Sequence, residues 1–457
     1  MFGLPLLARR ILFTAFLAAA TTLAAAQKKE EVLHSFSFAD GVNPMAGLLV
    51  DRTGNFYGTT FNGSVCNQGS IFELSPSGIE TGWTFANLHG LCSSDTFFGG
   101  NEGGNPSGSL ILDGQGNLYG TTTVGVYYFP EERTAGMQRL KAPGCCEIRP
   151  YEEEFQPPPG PGTVFELVKP TTQGGSWSLT PLIVLNDGAP SGKVWLDSSG
   201  NLYAVNYPDG SGRAYRGCYG CGTIFELSPQ SPGQFWSEST LYNFGSYLGD
   251  GLIPSPNLLV VDGTFYGTTQ FGGTSSQGTV FRLAQQNGVW TATVLHNFRI
   301  NEGGAPVGTL IADPSGNLYG TTFIDDNDHC QLGCGSVFEL SSPAVEGSPW
   351  QETTLYKFTG GADDGRPQGG LVRDSNGNLY GTTTLGGSGN GVVFELVAPT
   401  TSGGLWKEVT LHQFAGAPTD GSAPLGSLLL IGGTKLFGTT SLGGTNNGGT
   451  VFSVVIP

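Results

Sequence analysis

A seven-letter string, GNLYGTT, stands at 116–122, 316–322 and 377–383, and GNFYGTT stands at 54–60. Its tyrosine, or the residue in the same place, recurs as Tyr57, Tyr119, Tyr203, Tyr266, Tyr319, Tyr380 and Phe437, at intervals of 62, 84, 63, 53, 61 and 57. Such a spacing is too long for a coiled coil or a β-helix rung and too short for independent domains with their own cores. A second signature follows each copy: GSIFEL, GTVFEL, GTIFEL, GTVFRL, GSVFEL, GVVFEL and GTVFSV, starting at Gly69, Gly162, Gly222, Gly278, Gly335, Gly391 and Gly449. A third begins at Trp83, Trp177, Trp236, Trp290, Trp350 and Trp406 and runs Trp, four residues, Leu, two residues, then usually Phe.

Each unit reads as four strands, as in GTLIAD, NLYGTT, GSVFEL and WQETTLYKF of the fifth. The turns between the first two strands (DRTGN, DGQGN, DSSGN, DPSGN, DSNGN) place Gly where a hairpin needs positive φ and Asp where its carboxylate bonds the turn. A calcium loop needs more carboxylates and a distant bidentate Glu, so these aspartates read as Asx turns. Four strands in about 60 residues, repeated, is the pattern of a propeller blade. The last unit ends at GTVFSVVIP without a Trp–Leu–Phe strand, and EEVLHSFSF near the start supplies one, with Leu33 and Phe36 in register with Leu241 and Phe244. The expectation is an all-β, seven-bladed β-propeller, four antiparallel strands per blade, with the N-terminal strand closing the last blade.

The first 26 residues read as a cleaved signal peptide: Arg9 and Arg10, an apolar run from Ile11, then Ala24-Ala25-Ala26. Residues 27–457 then form one domain, and the product is expected outside the cytoplasm, whether secreted, periplasmic or on the cell surface. No later stretch approaches the roughly 20 apolar residues of a membrane span. Removing the two arginines takes the net charge from −17 to −19, which excludes nucleic acid and anionic lipid held by counterion release. A monomer is expected.

GNLYGTT with GTVFEL and the Trp–Leu–Phe strand resembles the Gloeo/Verruco (GloVer) tandem-repeat proteins of bacteria, over nearly all of residues 27–457. That resemblance implies an exported, sometimes surface-anchored protein and brings no catalytic residues with it. The chain departs from the pattern at NLYAVN (201–206) and lacks the C-terminal sorting tail some members carry.

Loops joining the second strand to the third, and one blade to the next, are expected to open together as a variable binding face, opposite short uniform turns. All eight cysteines, Cys66, Cys92, Cys145, Cys146, Cys218, Cys221, Cys330 and Cys334, fall in such loops. An even number in an exported chain predicts disulfides. Cys218–Cys221 and Cys330–Cys334 are local candidates, Cys66 can reach Cys92, and Cys145 and Cys146 pair with each other or elsewhere. A redox role for CYGC lacks its βαβ context. His34, His89, His296 and His412 share one outer-strand position in different blades and read as packing residues. His329 differs: with Asp325, Asp326 and Asp328 it is a candidate site for calcium or another divalent cation, and equally a solvated loop.

Asp40, Glu102, Asp187, Asp250, Glu302, Asp364 and Asp420, each followed by Gly, recur between blades. At the mouth of one channel they could hold a cation; as a ring of Asx-type turns they need none, and the accompanying Gly and Pro favour the turns. The insertion 123–161 accounts for the 84-residue interval and is too long for a connector. Its Tyr127, Tyr128, Phe129, Tyr151 and Phe155, with Arg133, Arg139 and Arg149, are the types enriched at recognition sites. The preferred function is a non-catalytic scaffold binding a glycan, peptide or protein on the loop face. The alternative is a carbohydrate-active lyase or hydrolase using carboxylates at the channel mouth.

Overall fold

The computed structural model describes residues 30–78, 82–91, 102–123, 162–172, 174–185, 188–207, 214–215, 218–219, 221–231, 235–325, 330, 333–345, 347–360, 365–386, 389–401 and 403–457. The described residues form seven antiparallel sheets of four strands, a seven-bladed β-propeller. Strands are labelled A to D outward. Blade one is Leu49–Val50, Phe56–Thr60, Ser70–Pro76 and Trp83–Gly90. The inner strands of blades four and five are each split into two short pieces pairing the same B strand. Blade seven takes three strands, Leu429–Ile431, Lys435–Thr440 and Thr450–Val455, from one end of the chain and its D strand, Glu30–Ser35, from the other. Glu30 faces Val454 and Ser35 faces Thr450, so the ring closes as the sequence leads one to expect.

The structure assigns a task to each letter of the repeated string. The Tyr hydroxyl donates to the turn Asp, as from Tyr57 to Asp51 (3.2 Å) and Tyr380 to Asp374 (3.2 Å). The Gly leaves room for the C-strand Phe: a Cβ on Gly381 would lie 2.5 Å from Phe394 Cζ. In four copies the first Thr donates to a carbonyl on the next blade, as from Thr121 to Gly192 (3.0 Å) and Thr439 to Ala46 (2.9 Å), a bond that Thr321 and Thr382 do not make. The second Thr bonds the hydroxyl that opens the C strand, as between Thr60 and Ser70 (2.8 Å). One string therefore ties turn, sheet and neighbouring blade together. NLYAVN keeps the Tyr203–Asp197 bond (3.2 Å) but puts buried Val205 where the first Thr stands.

The Trp–Leu–Phe signature also has a geometric cause. All seven D strands carry a β-bulge whose extra residue is that Leu: Leu33, Leu88, Leu182, Leu241, Leu295, Leu355 and Leu411. A bulge breaks the period of two, so Leu and the Phe three residues later both serve the core. That Phe then meets the next blade's C-strand Phe edge-on, as Phe244 with Phe281 (5.0 Å) and Phe414 with Phe452 (5.0 Å). The buried core divides into seven clusters, and each draws side chains from two adjacent blades. Among the described residues no helix is long and apolar enough to cross a membrane.

Candidate functional site

On the face carrying the B–C and D–A loops, the repeated acids bond the outer strand. His412 Nε2 lies 3.1 Å from Asp420, His296 Nε2 3.2 Å from Glu302 and His89 Nε2 3.3 Å from Glu102, while His34 Nε2 stands 3.6 Å from Asp40, beyond hydrogen-bond reach. Where Tyr242 replaces His, its hydroxyl donates to Asp250 at 2.8 Å. The same carboxylates accept backbone amides, from Ala415 to Asp420 and from Ser246 to Asp250. Asp40, Glu102, Asp250, Glu302 and Asp420, expected at the channel mouth, are the acids in question. They turn to the outermost strand, where half-buried imidazoles and a phenol need acceptors. Asp187 and Asp364 lie outside the described residues. The pairing also adds a partner to the histidines that sequence treats as packing alone.

Burial works against these ions. It pulls His34 and His296 below the usual imidazole range despite the adjacent carboxylates. Burial also raises the Asp420 carboxyl, but bonds from His412 and from backbone amides outweigh it, and Asp420 titrates below its ordinary value. At the seam of blades four and five, burial and then Glu302 push Glu352 up to about 7, against the bond it accepts from Thr354.

Cys330 and Cys334 form a disulfide with Cα atoms 5.2 Å apart, and Cys66 and Cys221 are also disulfide-bonded. Cys92, Cys145 and Cys146 and the Cys218 side chain lie outside the description. Of the proposed metal loop only Asp325 is described, buried, with Oδ1 accepting the Cys334 amide at 2.8 Å; Asp326, Asp328 and His329 lie outside. The described group that could hold a metal is elsewhere: Glu30, His412 and Asp420 bring one ligand atom each within 4.8 Å of one another. Sequence reasoning missed it because Glu30 arrives through the closing strand, far along the chain from its two neighbours. The insertion residues Tyr127, Tyr128, Phe129, Arg133, Arg139, Arg149, Tyr151 and Phe155 also lie outside the description.

On the other face, at the seam of blades five and six, a groove of about 540 Å³ is lined by Tyr319, Glu339, Arg373, Asn376, Leu405 and Trp406, among others. The A–B turns and C–D loops form this face, which sequence reads as the one with short, uniform turns. Burial first, then the Glu339 carboxylate, push Tyr319 up to about 12, and Arg373 draws it back part of the way.

A model of the Gloeobacter/Verrucomicrobia repeat matches residues 156–341 and 326–456. The chain belongs to the Gloeobacter/Verrucomicrobia repeat family. Among curated proteins no match is found. Among solved structures, this repeat protein is similar to a polysaccharide lyase of family PL25, an ulvan lyase bound to -[GlcA(1-4)Rha3S]-. Identity is 11%, 92% of this chain and 94% of that chain are covered, and the TM-score is 0.52. It is also similar to the GH93 α-L-arabinofuranosidase of Fusarium graminearum in complex with arabinobiose, at 11% identity, 76% and 91% coverage and a TM-score of 0.40. The lyase likeness shows the fold; the second, looser one adds no argument.

Proposed function

We propose that this chain is an exported, non-catalytic propeller that binds a glycan, peptide or protein partner. The carrying observation is that its carboxylates, tyrosines and histidines are distributed by the repeat around the ring and engaged in bonds within each blade and to the loop that follows it. Tyr119 donates to Asp113 and Glu166 in blade two as Tyr380 does to Asp374 and Glu395 in blade six. Groups replicated in this way supply a stiff frame, and loops on a stiff frame are where recognition concentrates. The insertion 123–161 is proposed as the main recognition element of the B–C side, since it alone breaks the repeat and combines aromatics with arginines. The enzyme alternative draws support from the fold shared with an ulvan lyase, and a fold by itself does not carry an activity.

The test is capture on immobilised glycans, peptides and secreted proteins, using the full-length protein and a variant with 124–161 replaced by a short Gly linker. The residues bridged, Thr123 and Gly162, flank strands already paired through Thr122 and Thr163, so the variant should fold. Capture by the parent and loss in the variant is the expected result. Equal capture by both would move recognition off the insertion.

A further inference from the structure

The groove between blades five and six is built on a repeated plan with one exception. At each seam the B-strand Tyr, or its stand-in, lies in a core cluster bordered by a neighbouring blade, and in six clusters a D-strand Trp packs against it. The inner-strand residue beside the turn is apolar in six blades: Val50, Leu112, Leu196, Val260, Ala312 and Leu430. In blade six it is Arg373, paired with Leu379. Its guanidinium has space because Gly377 follows in the turn: a Cβ there would stand 3.1 Å from Nη2. A charge has thus replaced an apolar residue at the seam that carries this groove.

We propose that this groove is a binding site for a neutral oligosaccharide; the proposal rests on the scaffold reading above and deepens it. The lining suits that chemistry from three sides. Trp406 and Leu405 present apolar surface to the C–H face of a sugar ring. Trp406 is anchored because it packs against the seam core, while Leu405 is 93% exposed. Arg373 and Asn376 offer planar donors, and Glu339 and Asn376 offer acceptors, as vicinal hydroxyls require. The groove's formal charge is balanced between Arg373 and Glu339, and behind Tyr319 stands a second carboxylate, Asp313, 3.3 Å from its hydroxyl. An anionic sugar would meet those carboxylates in an already acidic protein, so a neutral ligand is selected. The volume falls in the range of small-ligand sites.

Calorimetric titration of the full chain with cellotetraose, xylotetraose, mannotetraose, galactotetraose and tetragalacturonate tests this. At least one neutral tetrasaccharide should bind and tetragalacturonate should not. Arg373→Val restores the residue of blades one and four, and Leu405→Asp changes an exposed position, so both should melt as the parent does. Each should weaken binding at least about tenfold, the scale of a lost charge-assisted contact. Parent-like affinity in both folded variants would overturn this site while leaving the scaffold reading intact. Preference for tetragalacturonate, or no neutral binding at all, would overturn the neutral-sugar assignment. Cleavage of the bound tetrasaccharide would overturn the scaffold reading itself, and is told apart by chromatography of the titrated mixture.

Discussion

Gly381 carries only hydrogen where the ring of Phe394 crosses it, and the same juxtaposition recurs at Gly58 with Phe72 and Gly438 with Phe452. Gly381→Ala should therefore cost about 1–3 kcal/mol by overpacking, read as a lower urea midpoint; an unchanged midpoint would contradict the assigned role. Glu352 provides a residue-scale test with a definite sign. Its folded pKa of about 7 lies above the ordinary 4.5, so the folded chain holds this proton more tightly than the unfolded chain. Its contribution to stability is then full below the unfolded value and lost as pH rises towards 7. Glu352→Gln should raise stability relative to the parent at pH 8 by on the order of 1–3 kcal/mol and much less at pH 4. Parallel stability curves for the two proteins would refute this. The glutamates of the second signature, Glu73, Glu166, Glu226, Glu339 and Glu395, hold one strand position in five blades, and that recurrence alone marks them as architecture. Glu352 was not legible in this way, since its shift comes first from burial and then from Glu302, and only folding supplies either.

Among the elements, the closing strand Glu30–Ser35 was the most legible, because the missing D strand at one end matched a surplus one at the other. Its bulge at Leu33 repeats the bulge of every other D strand. Deleting 30–38 would remove that strand and Phe36, which is fully buried and packs edge-on against Phe72 at 5.1 Å. Such a truncation should melt far below the parent or fail to fold, since it exposes a sheet edge and empties a seam; an unchanged melting temperature would refute closure. Loops were less legible. The Cys330–Cys334 bridge follows from short spacing, whereas the acid clamps between His412 and Asp420 or Tyr242 and Asp250 join a strand to the following loop across a turn no motif describes. Thiol titration of the unfolded, unreduced protein should leave Cys66, Cys221, Cys330 and Cys334 unreactive, and labelling of these four would contradict the bracing they provide.

For the whole molecule, repetition explains why architecture was readable and the ligand site was not. Seven copies of one signal average out noise, so blade number, strand order and closure could be read from spacing. A site is made by departures from the repeat, and a departure such as Arg373 acquires meaning only beside Tyr319, Glu339 and Trp406 of the folded seam. The proposed scaffold reading rests on the carboxylates and tyrosines that the repeat multiplies around the circumference, whereas an enzyme would turn groups converging at one place to bond cleavage. The most direct measurement incubates the full-length protein with neutral and uronate-rich polysaccharides, following bound polymer and its chain length in the same samples. A binding scaffold predicts saturable retention of polymer with an unchanged length distribution. Accumulation of shorter chains bearing new reducing ends or unsaturated termini, at a rate proportional to protein, would contradict it.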